Sequence, residues 1–375
     1  MKLCEICNIN MGQSPDSSLY NEEQIGMPFY QGNADFGEIH PKARMWCTKP
    51  TKIAKSGDIL ISVRAPIGAL NIANEDCCIG RGLAAITADS KKCSKKYLWY
   101  ALESKKDELI SKGTGSTFKA ISKNVLFDTE IPYVPLDKQI FIEQTLDKIS
   151  QLVNSRKKQL DLLSNLVASR FIEMFGDPVA NSKNWNISSL LSIGYCKNGM
   201  NFHTGDNGVD IRCLGVADFK NLSVIDGTEN LPIVSLNELP SKDSMLKDGD
   251  IVFVRSNGNK ALVGRCLLVY PHNIPTTYSG FCIRFRLTSK QVMPEYLLRV
   301  LKSDSISKKM MGRGANIQNL NQQILASLDI PIPPLDLQNQ FAEFVKQTDK
   351  SKLAVQKSLE QLETLKKSLM QKYFG

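Results

Sequence analysis

The most regular feature of the chain is a hydrophobic stripe that begins after Pro135. Leu146, Ile149, Val153, Arg156, Leu160, Leu163, Val167, Arg170 and Met174 succeed one another in alternating steps of three and four. That is a heptad seam, and seven of the nine positions are apolar. No Pro or Gly interrupts the run until Gly176, which offers a C-terminal stop. The pattern predicts one helix from Leu136 to Met174, roughly 58 Å long at about 1.5 Å per residue. A second stripe, Val345, Thr348, Lys352, Val355, Leu359, Leu362, Lys366, Leu369 and Tyr373, repeats the period near the C-terminus. Neither stripe is wide enough to bury itself alone. The two helices are therefore expected to pair, through Ile149, Val153, Leu160, Leu163 and Val167 on one and Val355, Leu359, Leu362 and Leu369 on the other.

Both helices open on the same sentence. Ile131-Pro-Tyr-Val-Pro-Leu-Asp137 with Gln139 matches Ile330-Pro-Ile-Pro-Pro-Leu-Asp336 with Gln338, at an offset of 199. The prolines make each an extended lead-in. The offset persists at Tyr97-Leu98 against Tyr296-Leu297, at Gly113-Thr-Gly-Ser116 against Gly312-Arg-Gly-Ala315, and at Phe175-Gly176 against Phe374-Gly375. A looser echo joins Gly57-Asp58-Ile59…Arg64 to Gly249-Asp250-Ile251…Arg255. The chain is thus read as two copies of one unit, each a variable globular part followed by a constant helix. Connectivity makes the helix pair antiparallel around a pseudo-two-fold axis, a spacer between two like domains.

The globular parts read as mixed α/β (α+β) and strand-rich. Short β-branched strands follow the Gly-Asp turns at Asp58–Val63 and Asp250–Val254. Others are expected at Leu83–Thr87, Ala261–Val269 and Phe281–Leu287, and helices over Lys95–Leu109 and Pro294–Met310. The expected boundaries are 1–133 and 177–332 for the globular domains, with 134–176 and 333–375 for the helices.

Composition narrows the class. The 375 residues are 42% hydrophobic and 23% charged, ordinary for a chain with real cores. No uncharged apolar run reaches the ~18 residues of a membrane span, and MKLCEICNIN lacks the long apolar h-region of a secretory signal, so none is expected. A cytoplasmic chain with no membrane partner and reduced cysteines is expected. Cys4-Glu-Ile-Cys7 has the spacing of a zinc half-site, but no second CxxC completes it, so small buried hydrophobes are the preferred reading and no metal is expected. The net charge of +9 is spread along the chain and points weakly to a polyanion.

Catalytic signatures are missing. There is no Gly-Lys dipeptide and hence no Walker A loop, no NPPY or DPPY, no HExxH and no Gly-x-Ser-x-Gly. Glu103-Ser-Lys105 has nuclease-like spacing but lies in a predicted surface helix without a strand-borne Asp. What remains are basic and amide side chains in recurring Gly loops. Arg255, Asn257, Asn259 and Lys260 follow one strand, and Arg64 follows its counterpart. Lys112, Ser116 and Lys119 in the first copy answer to Arg313, Asn316 and Gln318 in the second. Arg suits guanine edges and Asn adenine edges, while Ser and Lys suit phosphates. The competing reading is of solvated turns, with Arg64 or Arg255 held in ion pairs.

Met11-Gly-Gln-Ser-Pro15, Pro28-Phe-Tyr-Gln-Gly32, Gly115-Ser-Thr-Phe-Lys119 and the twin Ile-Pro-x-x-Pro-Leu-Asp-x-Gln openings occur in this order. With them, the chain resembles the specificity (S) subunit of type I restriction–modification systems along essentially its full length. The resemblance implies two target recognition domains, each reading half of a bipartite double-stranded DNA sequence. It adds Gln13, Ser14, Tyr30 and Gln31 to the candidate contacts. It also implies a non-catalytic chain whose helices dock two modification (methyltransferase) subunits. S-adenosylmethionine, ATP and Mg²⁺ would sit on those modification subunits and on restriction/translocase subunits, with no cofactor on this chain. One departure from the family pattern is expected: the first recognition domain starts almost at Met1, without a leading constant segment. The alternatives are a methyltransferase or nuclease carrying recognition domains, and a duplicated protein-binding adaptor.

Overall fold

In the computed structural model both stripes form single helices of 40 residues, Leu136–Phe175 and Leu335–Phe374. The described residues are 1–115, 119–202, 208–219, 222–311 and 319–375. Every stripe position is buried or half-buried, whereas the off-stripe Leu152, Leu162, Leu166, Leu353 and Leu365 are exposed. The heptad pattern therefore identifies the inner face. The chain divides into two units, Met1–Lys158 with Gln356–Gly375, and Gln159–Val355, so each long helix contributes to both.

In the first unit, an antiparallel sheet runs in the order Cys7–Met11, Leu83–Ala88, Ile59–Ser62, Leu70–Ile72. A second sheet is built from short strands far apart in sequence: Tyr20–Asn21, Trp46–Cys47, Met27–Tyr30, Cys77–Ile79 and Ile53–Ala54. The core joins Leu3, Ile59, Ile61, Ile86 and Tyr97 to Ile142 and Leu146 of the first long helix. Phe374, from the end of the second, enters the same core, its ring 5.1 Å from that of Tyr97. Lys157 and Glu363 form an ion pair at 2.9 Å across these two helical segments.

The second unit repeats the plan. Its sheet runs Gly194–Asn198, Cys282–Leu287, Asp250–Val254, Cys266–Tyr270, with Val224–Asp226 added in parallel. A three-stranded sheet (Ile233–Leu236, Val209–Leu214, Thr276–Tyr278) and a two-stranded one (Asn186–Ser189, Asp329–Ile332) complete it. Here Phe175, ending the first long helix, meets Tyr296 at 4.8 Å and Phe341 at 5.5 Å.

The twin helix openings explain themselves at their glutamines. Gln139 is fully buried; it accepts from Ser94 N–H and donates to the carbonyls of Lys92 and Val134. Gln338, equally buried, accepts from Met293 N–H and donates to Gln291 and Pro333. Tyr97 donates its hydroxyl to Pro132 and Tyr296 to Pro331, both at 2.8 Å. Asp58 and Asp250 close the Gly-Asp turns by accepting from Lys55 N–H and Lys247 N–H. The glycines of those turns, Gly57 and Gly249, sit at φ +88° and +86°, which favours a residue without Cβ.

Several expected elements differ in detail. The helix expected over Lys95–Leu109 is two, Lys95–Ser104 and Lys106–Ser111, broken at Lys105. Its counterpart is likewise Pro294–Leu301 and Asp304–Met311. The strand expected over Ala261–Val269 starts only at Cys266. Asn259 caps a short 3-10 turn at Lys260–Leu262 instead, and Gly264 at φ +82° turns the chain into the strand. The last expected strand begins at Cys282 rather than Phe281.

Cys4 faces solvent while Cys7 is buried in the core. Among the described residues no group of three or more His, Cys, Asp or Glu could hold a metal ion. Burial pushes the Cys7, Cys77, Cys93, Cys196, Cys213, Cys266 and Cys282 thiols up to about 12 and that of Cys78 to about 11. Thiols so raised are protonated and unreactive near neutrality. A maleimide at pH 8 should therefore add once to the native chain, at Cys4, with further adducts only on unfolding. Rapid multiple labelling read by intact mass would contradict this. Gln338→Ala should cost about 3 kcal/mol in urea unfolding, since it removes three hydrogen bonds, to Met293 N–H, Gln291 O and the buried Pro333 O. An unchanged unfolding midpoint would show that the clamp is ornamental.

Candidate nucleic-acid interface

The recurring loops meet at one end of each central sheet. In the first unit Arg64 forms an isolated antiparallel bridge with Ala120, and Thr114 bridges Ala120 as well. Ala65 N–H donates to Lys119 O at 3.1 Å, and Ile121 N–H to Val63 O at 2.9 Å. The loop after the Ile59–Ser62 strand is thereby joined to the Gly loop ending at Lys119. In the second unit Ser256 bridges Asn319, and Leu320 N–H donates to Arg255 O at 2.8 Å. In the first copy the two loops are neighbours; in the second the Arg255 loop meets Asn319, the described end of its counterpart.

A third strand end joins the cluster. Gln13 N–H donates to Ile79 O, Arg81 N–H to Ser14 Oγ, Gly82 N–H to Gln31 O and Val63 N–H to Gly82 O. These bonds gather Gln13, Ser14, Gln31, Arg81 and Arg64 on one rim. A Cβ at Gly12 would lie 2.2 Å from Gly80 O and one at Gly82 only 2.3 Å from Gln31 O, so the glycines are required by close packing of the rim. The second unit repeats two of these bonds, Met200 N–H donating to Tyr278 O and Arg255 N–H to Phe281 O, and adds one of its own from Gly280 N–H to Met200 O.

Gln13, Gln31, Arg64 and Lys119 are exposed, and Ser14 is half-buried. Tyr30 is corrected: its side chain is 1% exposed in the core, with burial pushing its hydroxyl up to about 12, so it supports the rim from beneath and touches no external partner. Lys112 is exposed, but Glu108 takes its ammonium at 2.6 Å and is itself held below the usual carboxylate range by Lys112. Arg255 and Asn257 are half-buried, and Asn259 and Lys260 exposed. Asn257 Oδ1 accepts from Asn259 N–H, and Asn259 Oδ1 from Ala261 N–H, so both amides also shape their turn. Among the described residues neither Arg64 nor Arg255 sits in an ion pair. Ser116, Arg313, Asn316 and Gln318 lie outside the described residues.

Two rim residues were not anticipated from sequence. Arg81 is exposed between Gly80 and Gly82, beside Ser14. Phe281 is 62% exposed beside Arg255. An arginine flanked by glycines at the end of an apolar strand was a legible signal for the first. For the second no sequence signal separates a rim ring from a core ring.

Among the described residues no helix is long and apolar enough to cross a membrane.

Comparison with known proteins converges on one family. The profile of the type I restriction modification DNA specificity domain matches residues 1–163 and 183–364. A specificity subunit assigned to the MjaX type I restriction enzyme of Methanocaldococcus jannaschii is 44% identical over 151 residues. That match takes in 40% of this chain and 36% of the relative, so the chain spans little more than a third of its length. The type I restriction enzyme MjaVIII specificity subunit of the same organism is 25% identical over 295 residues, 73% of this chain and 68% of the other. The crystal structure of a type I restriction–modification S subunit from M. genitalium aligns over 100% of this chain and 95% of its own, with a TM-score of 0.58. At 16% identity that likeness concerns the fold alone. Two matched segments, one on each repeat, place the chain in the family of type I restriction–modification DNA specificity subunits.

Proposed function

We propose that the chain reads a bipartite double-stranded DNA target, one half-site per repeat, and serves as a scaffold without catalytic chemistry of its own. Two modification subunits, with restriction/translocase subunits, would assemble on it and supply S-adenosylmethionine, ATP and Mg²⁺. The observation that carries this reading is the duplicated meeting of loops, Arg64 with Ala120 and Ser256 with Asn319. A guanidinium with no ion pair among the described residues keeps its donors for guanine O6 and N7, and a turn amide can meet adenine. Lysines around the rims suit phosphates, whose contacts orient the protein without specifying sequence. The net charge of +9 favours that approach.

The reading is tested by separating the half-sites. Arg255→Ala in the full chain should weaken binding by about 1–3 kcal/mol and relax preference only in the second half-site. Arg64→Ala should do the same in the first. The melting temperature of each variant should stay at the parental value. Equal binding of parent and variants to intact and scrambled half-sites would contradict the assignment.

The 40-residue helices would act as a ruler between half-sites. One heptad inserted after Leu163 and one after Leu362 keeps the seam register and adds about 10.5 Å of helix. That corresponds to about three base pairs at ~3.4 Å each. Methylation of the original target should fail, because three base pairs also rotate one half-site around the duplex. Methylation at an undiminished rate, with modification partners supplied, would rule the ruler out.

A further inference from the structure

The two rims are built alike but do not present the same chemistry. Position 281 stands at the repeat offset of 199 from Gly82. At Gly82 a side chain would strike Gln31 O, so the first rim can show nothing there. At Phe281 the second rim shows a phenyl ring that is 62% exposed. Solitary exposed rings are common on protein surfaces and by themselves mean little. The backbone that carries this one is fixed by hydrogen bonds on both sides. The Phe281 carbonyl accepts from Arg255 N–H at 2.7 Å and Ser256 N–H at 3.3 Å, and its own N–H donates to Ser279 Oγ at 3.1 Å. The adjacent Gly280 N–H donates to Met200 O at 2.7 Å. The ring also borders a concavity of about 480 Å³. Phe202, Val216, Pro232 and Val234 make its wall apolar, while Asn257 and Ser256 stand at its polar side.

An apolar surface fixed beside an amide and a guanidinium complements one feature of duplex DNA. In the major groove a T·A pair offers the thymine 5-methyl group next to hydrogen-bonding edges, and a phenyl ring is among the side chains that contact it. We propose that Phe281 is a specificity-determining residue of the second repeat, seating a thymine 5-methyl group between its ring and the apolar wall. The proposal rests on the DNA-reading function above. It makes the two half-sites chemically unequal, with methyl recognition at this position confined to the second.

The test uses the full chain and its DNA target, with each thymine of the second half-site replaced singly by deoxyuridine. At one position the loss of the methyl should weaken binding of the parent about three- to tenfold, as expected for one buried methyl. Phe281→Ala should weaken binding to the thymine target by a similar factor and bind thymine and deoxyuridine targets equally. Phe281→Leu should retain part of the discrimination. Deoxyuridine in the first half-site should have the same effect on parent and variant. A second half-site without a T·A pair, a parent indifferent to every deoxyuridine, or undiminished discrimination by Phe281→Ala would each overturn the proposal. So would a rise in 2-aminopurine fluorescence that depends on Phe281 without any deoxyuridine effect, which would mark a wedge between base pairs. If the parent does not prefer the intact target over scrambled DNA, the DNA-reading function itself fails, a result distinct from all of these.

Discussion

The architecture hangs on two buried side-chain amides. Gln139 and Gln338 each stand one turn into a long helix with no solvent contact, and each is bound by a backbone N–H and two carbonyls. A side-chain amide offers the acceptor and the two donors that this arrangement consumes. Glutamate would lose both donations, and an apolar residue would lose all three bonds. The clamp therefore fixes where each helix leaves its domain. The hydroxyls of Tyr97 and Tyr296 tie down the proline lead-ins beside it. Phe374 and Phe175, at the far ends, enter cores that contain those same tyrosine rings. Start, lead-in and end of each helix are all secured by the residues that recur at the offset of 199.

With the framework fixed in this way, variation concentrates on the rims. Two of the backbone bonds that join the strand ends recur in both repeats, whereas the side chains at those positions differ. Gln13 answers to Met200 through the same backbone bond, and Gly82 to Phe281. A fixed backbone with interchangeable side chains suits the proposed reading of two half-sites, since specificity depends on holding donors and apolar surfaces in place beforehand. The glycines of the first rim serve the same end: Gly12 and Gly82 allow three strand ends to approach within contact of one another.

Much of this was legible in the sequence. A heptad period over forty residues is a long-range signal that neighbouring structure cannot easily override, and every stripe position is indeed turned inward. The duplication located the Gln, Tyr and Phe anchors without revealing their roles, since burial of a polar side chain is a tertiary fact. The loops at Arg64 and Arg255 were found because they follow β-branched strands. Tyr30 was misjudged as a contact: the Met27–Tyr30 strand lies within a sheet assembled from two- to four-residue strands distant in sequence, and both Phe29 and Tyr30 are buried. Such strands are too short to show a period. The break at Lys105 was hidden for a related reason, as no Gly or Pro marks it.

In vitro selection from a random DNA library tests the central claim most directly. Full-length chain, together with its modification partners, should enrich duplexes with two short sequence blocks separated by a gap of constant length and variable sequence. Enrichment of a single uninterrupted block, of two blocks at variable spacing, or of nothing at all would contradict the account.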